Sequence, residues 1–213
     1  MTGPHDDQPL ETAGADPAEA TAAVVLAHGR GATARGILDL GREVSPDGVA
    51  LLAPQAARST WYPNSFMEAV ESNEPGRSSG LAVLDRAVET AVDAGVDRER
   101  VAVVGFSQGA CLASEYVART PRRYGGLAAL SGGLIGETVD PAEYDGDLAG
   151  TPAFLGCSDR DPHIPEERVH TTADVLGDLG ADVTVEIYPG MGHGVNEDEL
   201  DRVSAMVGDL VDS

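Results

Sequence analysis

The chain reads as an α/β protein, a mostly parallel sheet covered by helices on both faces. Three observations carry that expectation. Short runs of β-branched and small apolar residues recur along the sequence, stretches of helical periodicity separate them, and glycine or proline stands at many of the joints. Strands that arrive one at a time between helices build βαβ units, and their parallel strands are apolar on both sides because helices cover both faces of the sheet.

Taken in order, Thr21 to Ala27 predicts a buried strand and His28-Gly29-Arg30-Gly31-Ala32-Thr33 a glycine-rich turn out of it. Residues 33 to 43 suit a helix, and Val49 to Ala53 a second strand stopped by Pro54. Residues 55 to 79 form a long irregular stretch holding Trp61, Tyr62, Phe66 and Met67. A loop of that length in a small domain is usually functional or disordered, and the concentration of aromatic residues argues against disorder. Ser78 or Ser79 is positioned to cap a helix running to about Ala94, with Leu81, Leu84, Val88 and Val92 at helical spacing. Strands are then expected at 101 to 104, 126 to 131, 152 to 156 and 183 to 188, and helices at 108 to 119, 165 to 179 and 196 to 212.

A chain of 213 residues, 42% of them hydrophobic, can bury a full core and is most economically one domain. Residues 1–20 are acidic and rich in Ala, Pro and Gly, so they are expected to be a flexible tail, leaving 21–213 as a single domain. That tail lacks the basic start and apolar stretch of a secretory signal, and no twenty-residue apolar segment follows; a cytoplasmic location is the expectation. Cys111 and Cys157 fall in apolar contexts and are expected to be buried free thiols.

The formal net charge is −22, and all fourteen basic residues are arginine. Such a field repels phosphates and anionic lipid surfaces, so neither nucleic acid nor membrane is an expected partner. Self-repulsion at this density destabilises a compact state unless salt screens it. The composition therefore resembles that of a protein from a salt-accumulating cytoplasm.

The chemistry centres on Val101-Ala102-Val103-Val104-Gly105-Phe106-Ser107-Gln108-Gly109, where a strand breaks into a helix with one serine at the break. A serine on a sharp strand-to-helix turn exposes its hydroxyl above the sheet, and the flanking glycines permit close backbone approach. The backbone N–H of Gln108 then faces the place where an oxyanion would form. An acid candidate follows the strand at 152 to 156, as Asp159 or Asp161, and a histidine candidate, His193, follows the last strand. Reactive groups in parallel sheets gather after the carboxyl ends of strands, so all three belong to one edge. They also stand in the chain order Ser, Asp, His of α/β-hydrolases.

These motifs together resemble those of the phospholipase/carboxylesterase family, small α/β-hydrolases that include acyl-protein thioesterase-like esterases. The motifs are His28-Gly29-Arg30-Gly31 after the first strand, Gly105 to Gly109 at the elbow, Asp161-Pro162-His163-Ile164-Pro165, and Gly190-Met191-Gly192-His193. The resemblance extends from about residue 22 to the end. It implies an α/β-hydrolase fold without a large cap, a serine carboxylesterase, and Asp161 as the acid because its spacing to Ile164-Pro165 fits the family loop. It also implies that the Arg30 backbone N–H is the second oxyanion donor. Dienelactone hydrolases are similar but carry cysteine as nucleophile.

Trp61, Tyr62, Phe66 and Met191 are the expected substrate-binding residues, Met67 being a further pocket candidate, with a small-molecule ester as the partner. Arg30 is expected to favour an anionic substrate or to point into solvent, and Arg77 and Arg160 are candidates to read a substrate charge. The Gln108 side chain is expected to matter little. His28 is expected to be a structural hydrogen-bonder, His163 a rim residue, His170 part of a solvated helix face, and His5 part of the tail. No cofactor and no metal is expected, and a homodimer is left open. Two rivals are a nicotinamide enzyme, from Gly29-x-Gly31-x-x-Ala34, and a non-catalytic ligand-binding module. The first expects an acidic residue at the end of the second strand, where Ala53-Pro54-Gln55 stands instead.

Overall fold

A computed structural model describes residues 3–212; Met1, Thr2 and Ser213, at the ends of the two expected segments, lie outside the described residues. Its strands are β1 (Leu10–Gly14), β2 (Ala22–Ala27), β3 (Val49–Pro54), β4 (Val101–Phe106), β5 (Gly126–Leu130), β6 (Pro152–Ser158) and β7 (Asp182–Tyr188). Its helices are α1 (Ala34–Val44), α2 (Gly76–Asp93), α3 (Gln108–Arg119), α4 (Glu166–Asp178) and α5 (Glu197–Asp212). The sheet order is β1-β3-β2-β4-β5-β6-β7, with every pairing parallel except β1 to β3.

Alternation along the central strands divides the core in two. Ala23, Val25, Val103 and Leu127 face α2, α3 and α4 through Leu84, Leu112 and Val169, whereas Val24, Leu26, Val104 and Leu130 face α1 and α5 through Leu38 and Val207. Each central strand therefore buries both of its faces, which explains its unbroken apolar run.

Two expectations are corrected here. The segment expected to be a tail instead supplies β1, paired antiparallel to β3 from Leu10↔Pro54 to Gly14↔Ala50. As an edge strand with neither face fully covered, Leu-Glu-Thr-Ala-Gly needs no apolar run, and so it gives no strand signal in the sequence. His5 is buried as well: its Nε2–H donates to the Trp61 carbonyl at 2.8 Å and its Nδ1 accepts from Ala57 N–H at 3.0 Å. Helix α2 begins at Gly76, after Pro75, rather than at a serine cap. The Ser79 hydroxyl is turned to the N-terminal segment, where it accepts from His5 N–H at 3.0 Å.

Candidate active site

The site sits over the carboxyl ends of β2, β4, β6 and β7. Ser107 links β4 to α3 with φ 56° and ψ −122°, a left-handed conformation costly for a residue with a Cβ. Neighbouring glycines allow it. A Cβ on Gly105 would strike the Gly109 carbonyl, and one on Gly109 would strike the Ala27 carbonyl, so strand, helix and first turn close on one another only without side chains there.

From this turn Ser107 Oγ lies 2.9 Å from His193 Nε2, and His193 Nδ1 lies 2.7 Å from Asp161 Oδ2. With the Nδ1 proton donated to Asp161, Nε2 has a lone pair directed at the Ser107 hydroxyl. Asp161 has a fully buried side chain, and its Oδ1 accepts from the N–H groups of His163 at 2.8 Å and Ile164 at 3.0 Å. Burial works to raise the Asp161 carboxyl, but the His193 hydrogen bond and these backbone donors outweigh it and hold the group below the ordinary carboxylate value. Asp159 takes a different part: its Oδ1 accepts from Gly190 N–H at 2.6 Å and fixes the loop that carries His193. The His193 ring is bracketed by Phe106, centroids 5.1 Å apart, and by His163 at 4.9 Å, edge to face.

A cavity of about 490 Å³ opens over Ser107 and His193, walled by Tyr62, Phe66, Cys111 and Ile164 and reached also by Arg30 and Gln108. As the first residue of α3, Gln108 has a backbone N–H without an intrahelical acceptor. Cys111 and Cys157 are buried free thiols, which burial pushes up to about 11 and about 12, so both stay protonated at neutral pH.

Several side chains do other work than expected. Arg30 turns neither to solvent alone nor to an anion: its guanidinium donates to the carbonyls of Tyr62, Pro63 and Asn64 at 2.9, 3.0 and 2.7 Å. The Gln108 side chain matters after all. Its Oε1 accepts from Trp61 N–H at 3.0 Å and its Nε2–H donates to the Tyr62 carbonyl at 2.8 Å, so the elbow helix holds the aromatic loop. Trp61 is outside the catalytic cavity, fully buried with its indole N–H on the His28 carbonyl at 2.8 Å. Met191 is also outside the lining, its sulfur accepting from Asn196 Nδ2 at 2.8 Å, and Met67 is exposed. Arg77 is committed to a buried ion pair with Glu115 and a second with Glu74 at 3.2 Å, and Arg160 is exposed beyond the lining.

His28 is a buried hydrogen-bonder whose Nδ1–H donates to the Gly29 carbonyl at 2.8 Å while Nε2 accepts from Ala56 N–H at 3.1 Å. Burial lowers its basicity, in keeping with this neutral tautomer. His163 lies on the cavity rim and His170 on an exposed face of α4 beside Glu166. Residues the sequence did not single out complete the frame. Ser59 accepts from Gly31 N–H at 2.7 Å, Ser158 Oγ from Gly192 N–H at 3.0 Å, and buried Asn73 ties Asn64 to Ser65. Arg168 braces Leu134 and Gly136 and lies over the Phe66 ring. Each of these contacts joins segments that carry no shared local pattern.

The phospholipase/carboxylesterase family model matches residues 12–209. The chain belongs to that family. Among solved structures of similar proteins, a phospholipase/carboxylesterase from Dyadobacter fermentans has a TM-score of 0.91 and 39% identity, covering 97% of this chain and 98% of that one. Esterase PE8 has a TM-score of 0.77 and 26% identity, over 95% and 99% of the two chains. Among curated relatives, acyl-protein thioesterase 1 of Gibberella zeae is 27% identical across 88% of this chain and 89% of its own. The α/β-hydrolase fold is thus shared with hydrolases of esters and thioesters, and this family member is a hydrolase by descent.

Proposed function

We propose that the protein is a serine carboxylesterase that cleaves carboxylic esters of small to medium chain length through an acyl-enzyme on Ser107. The hydrogen-bonded relay from Ser107 Oγ through His193 to Asp161 carries this reading. His193 Nε2 removes the hydroxyl proton as Ser107 Oγ bonds to the ester carbonyl carbon, giving a tetrahedral oxyanion. The backbone N–H groups of Gln108 and Arg30 stabilise that oxyanion. As the C–O bond to the alcohol breaks, imidazolium returns the proton to the leaving alkoxide, and Asp161 stabilises the cation while it exists. Water then repeats the cycle on the acyl-enzyme and releases the acid. These steps use only side chains, backbone N–H groups and water.

Thioester cleavage is the second reading, favoured by the curated fungal acyl-protein thioesterases. It differs only in expelling a thiolate.

Turnover of p-nitrophenyl butyrate in molar KCl tests the first reading. Ser107→Ala should lower kcat by on the order of 10⁶, the scale seen when an activated serine is removed from such a triad. Wild type and variant equally inert toward esters and thioesters, with a ligand still bound, would make the chain a binding module instead. A kcat/KM larger for a thioester than for the ester of the same acyl chain would favour the second reading.

A further inference from the structure

A second cavity, of about 560 Å³, lies on the far side of the loop that walls the catalytic one. Arg30, Tyr62 and Pro63 line both cavities and therefore stand between them. One side chain fastens this wall. The Arg30 guanidinium bonds three successive carbonyls, those of Tyr62, Pro63 and Asn64, and lies 6.0 Å from the Tyr62 ring centroid. Behind the wall Ala57, Trp61 and Pro75 line the cavity, with Arg58, Thr60 and Glu74 beside them. Joined to the catalytic cavity, the second would roughly double the space open to a chain bound at Ser107.

We propose that the Arg30 side chain, latched to the 62–64 carbonyls, is the partition that sets the upper chain length of the ester this enzyme accepts, and that the second cavity becomes a subsite for the distal apolar chain when the partition is removed. The proposal rests on the esterase reading. Arg30 has two separable parts: the backbone N–H belongs to the oxyanion pocket, and the side chain belongs to the partition. An Arg30→Ala variant keeps the first and deletes the second. Each methylene newly moved from water into the second cavity is worth roughly fourfold in kcat/KM.

The test is a series of p-nitrophenyl esters from acetate to decanoate in molar KCl, on wild type, Arg30→Ala and Arg30→Ala/Thr60→Trp. Thr60 lines only the second cavity, so tryptophan there refills it. The expected result is a decanoate-to-butyrate ratio of kcat/KM that rises at least about tenfold in Arg30→Ala, and returns toward wild type in the double variant. A folded Arg30→Ala enzyme with an unchanged ratio overturns the proposal. Should Arg30→Ala fail to fold, Arg30→Gln deletes the guanidinium that spans the three carbonyls while keeping a polar side chain at the position. An unchanged ratio in that variant overturns the proposal equally. Failure of the underlying reading looks different: wild type would then turn over none of the esters.

Discussion

Glu199 shows what one buried carboxyl can decide. It stands at the third position of α5 in a reciprocal cap, its Oε2 accepting from Asn196 N–H and Asn196 Oδ1 accepting from Glu199 N–H, both at 2.9 Å. The other carboxylate oxygen lies against Gly156, where any Cβ would collide with it. Burial pushes the carboxyl up to about 7 from 4.5, the Asn196 N–H opposes, and neighbouring Asp198 adds to the rise. The folded state then binds this proton more tightly than the unfolded chain. Its stabilising contribution is whole below about 4.5 and is lost as pH rises through about 7. Glu199→Gln should remove that part of the pH dependence, worth up to roughly 3 kcal/mol across the window. Thermal unfolding from pH 5 to 8 checks it: wild type loses stability along this range and the variant stays flatter. Equal slopes would show that Glu199 does not titrate there.

Among the elements, α3 and the aromatic loop form one unit. The helix starts at Gln108 because the left-handed turn at Ser107 ends β4, and the Gln108 side chain reaches across to Trp61 and Tyr62. Gln108→Ala leaves the buried Trp61 N–H without a partner, while the Tyr62 carbonyl keeps its bond from Arg30. The expected cost is about 1 to 3 kcal/mol of stability, the cost of one buried group left unsatisfied. KM for the ester should rise more than kcat falls, because the Ser107 relay is untouched while the cavity wall loosens. Denaturant unfolding and steady-state kinetics on one preparation measure both. A large kcat loss with unchanged KM would place Gln108 in the chemistry rather than in the wall. The sequence located this helix to the residue, since the elbow, the following apolar spacing and Pro121 bound it on both sides. It could not show the bond to the loop, because Gln108 and Trp61 are 47 residues apart and no periodicity links them.

For the whole molecule the dominant fact is charge. With 36 acidic residues against 14 arginines, repulsion is spread over the surface, and the arginines are drawn into local pairs such as Arg98 with Glu89 and Arg202 with Asp198. Exposed pairs contribute little individually, so they do not cancel the global repulsion. We expect the fold to tighten as salt screens that field, the Debye length falling to roughly 3 Å at 1 M. The unfolding temperature should climb by several degrees between dilute buffer and molar KCl, with esterase activity following. Full stability in dilute buffer would remove the basis for the salt-adapted reading.

The sequence by itself determined the parallel sheet, the place of the elbow, and the loops that deliver Asp161 and His193, because strand runs, breaker residues and motif spacing are local signals. It did not determine the fate of the N-terminal segment, whose β1 is an edge strand and whose His5 is buried only through contacts with Trp61, Ala57 and Ser79. Nor did it assign Arg30 to a loop latch or Met191 to a contact with Asn196. A charged or apolar residue in a loop has many partners within reach, and which one it takes depends on where distant segments come to rest. The chemistry is written in short motifs, while the walls of the cavity around it exist only once the chain has folded.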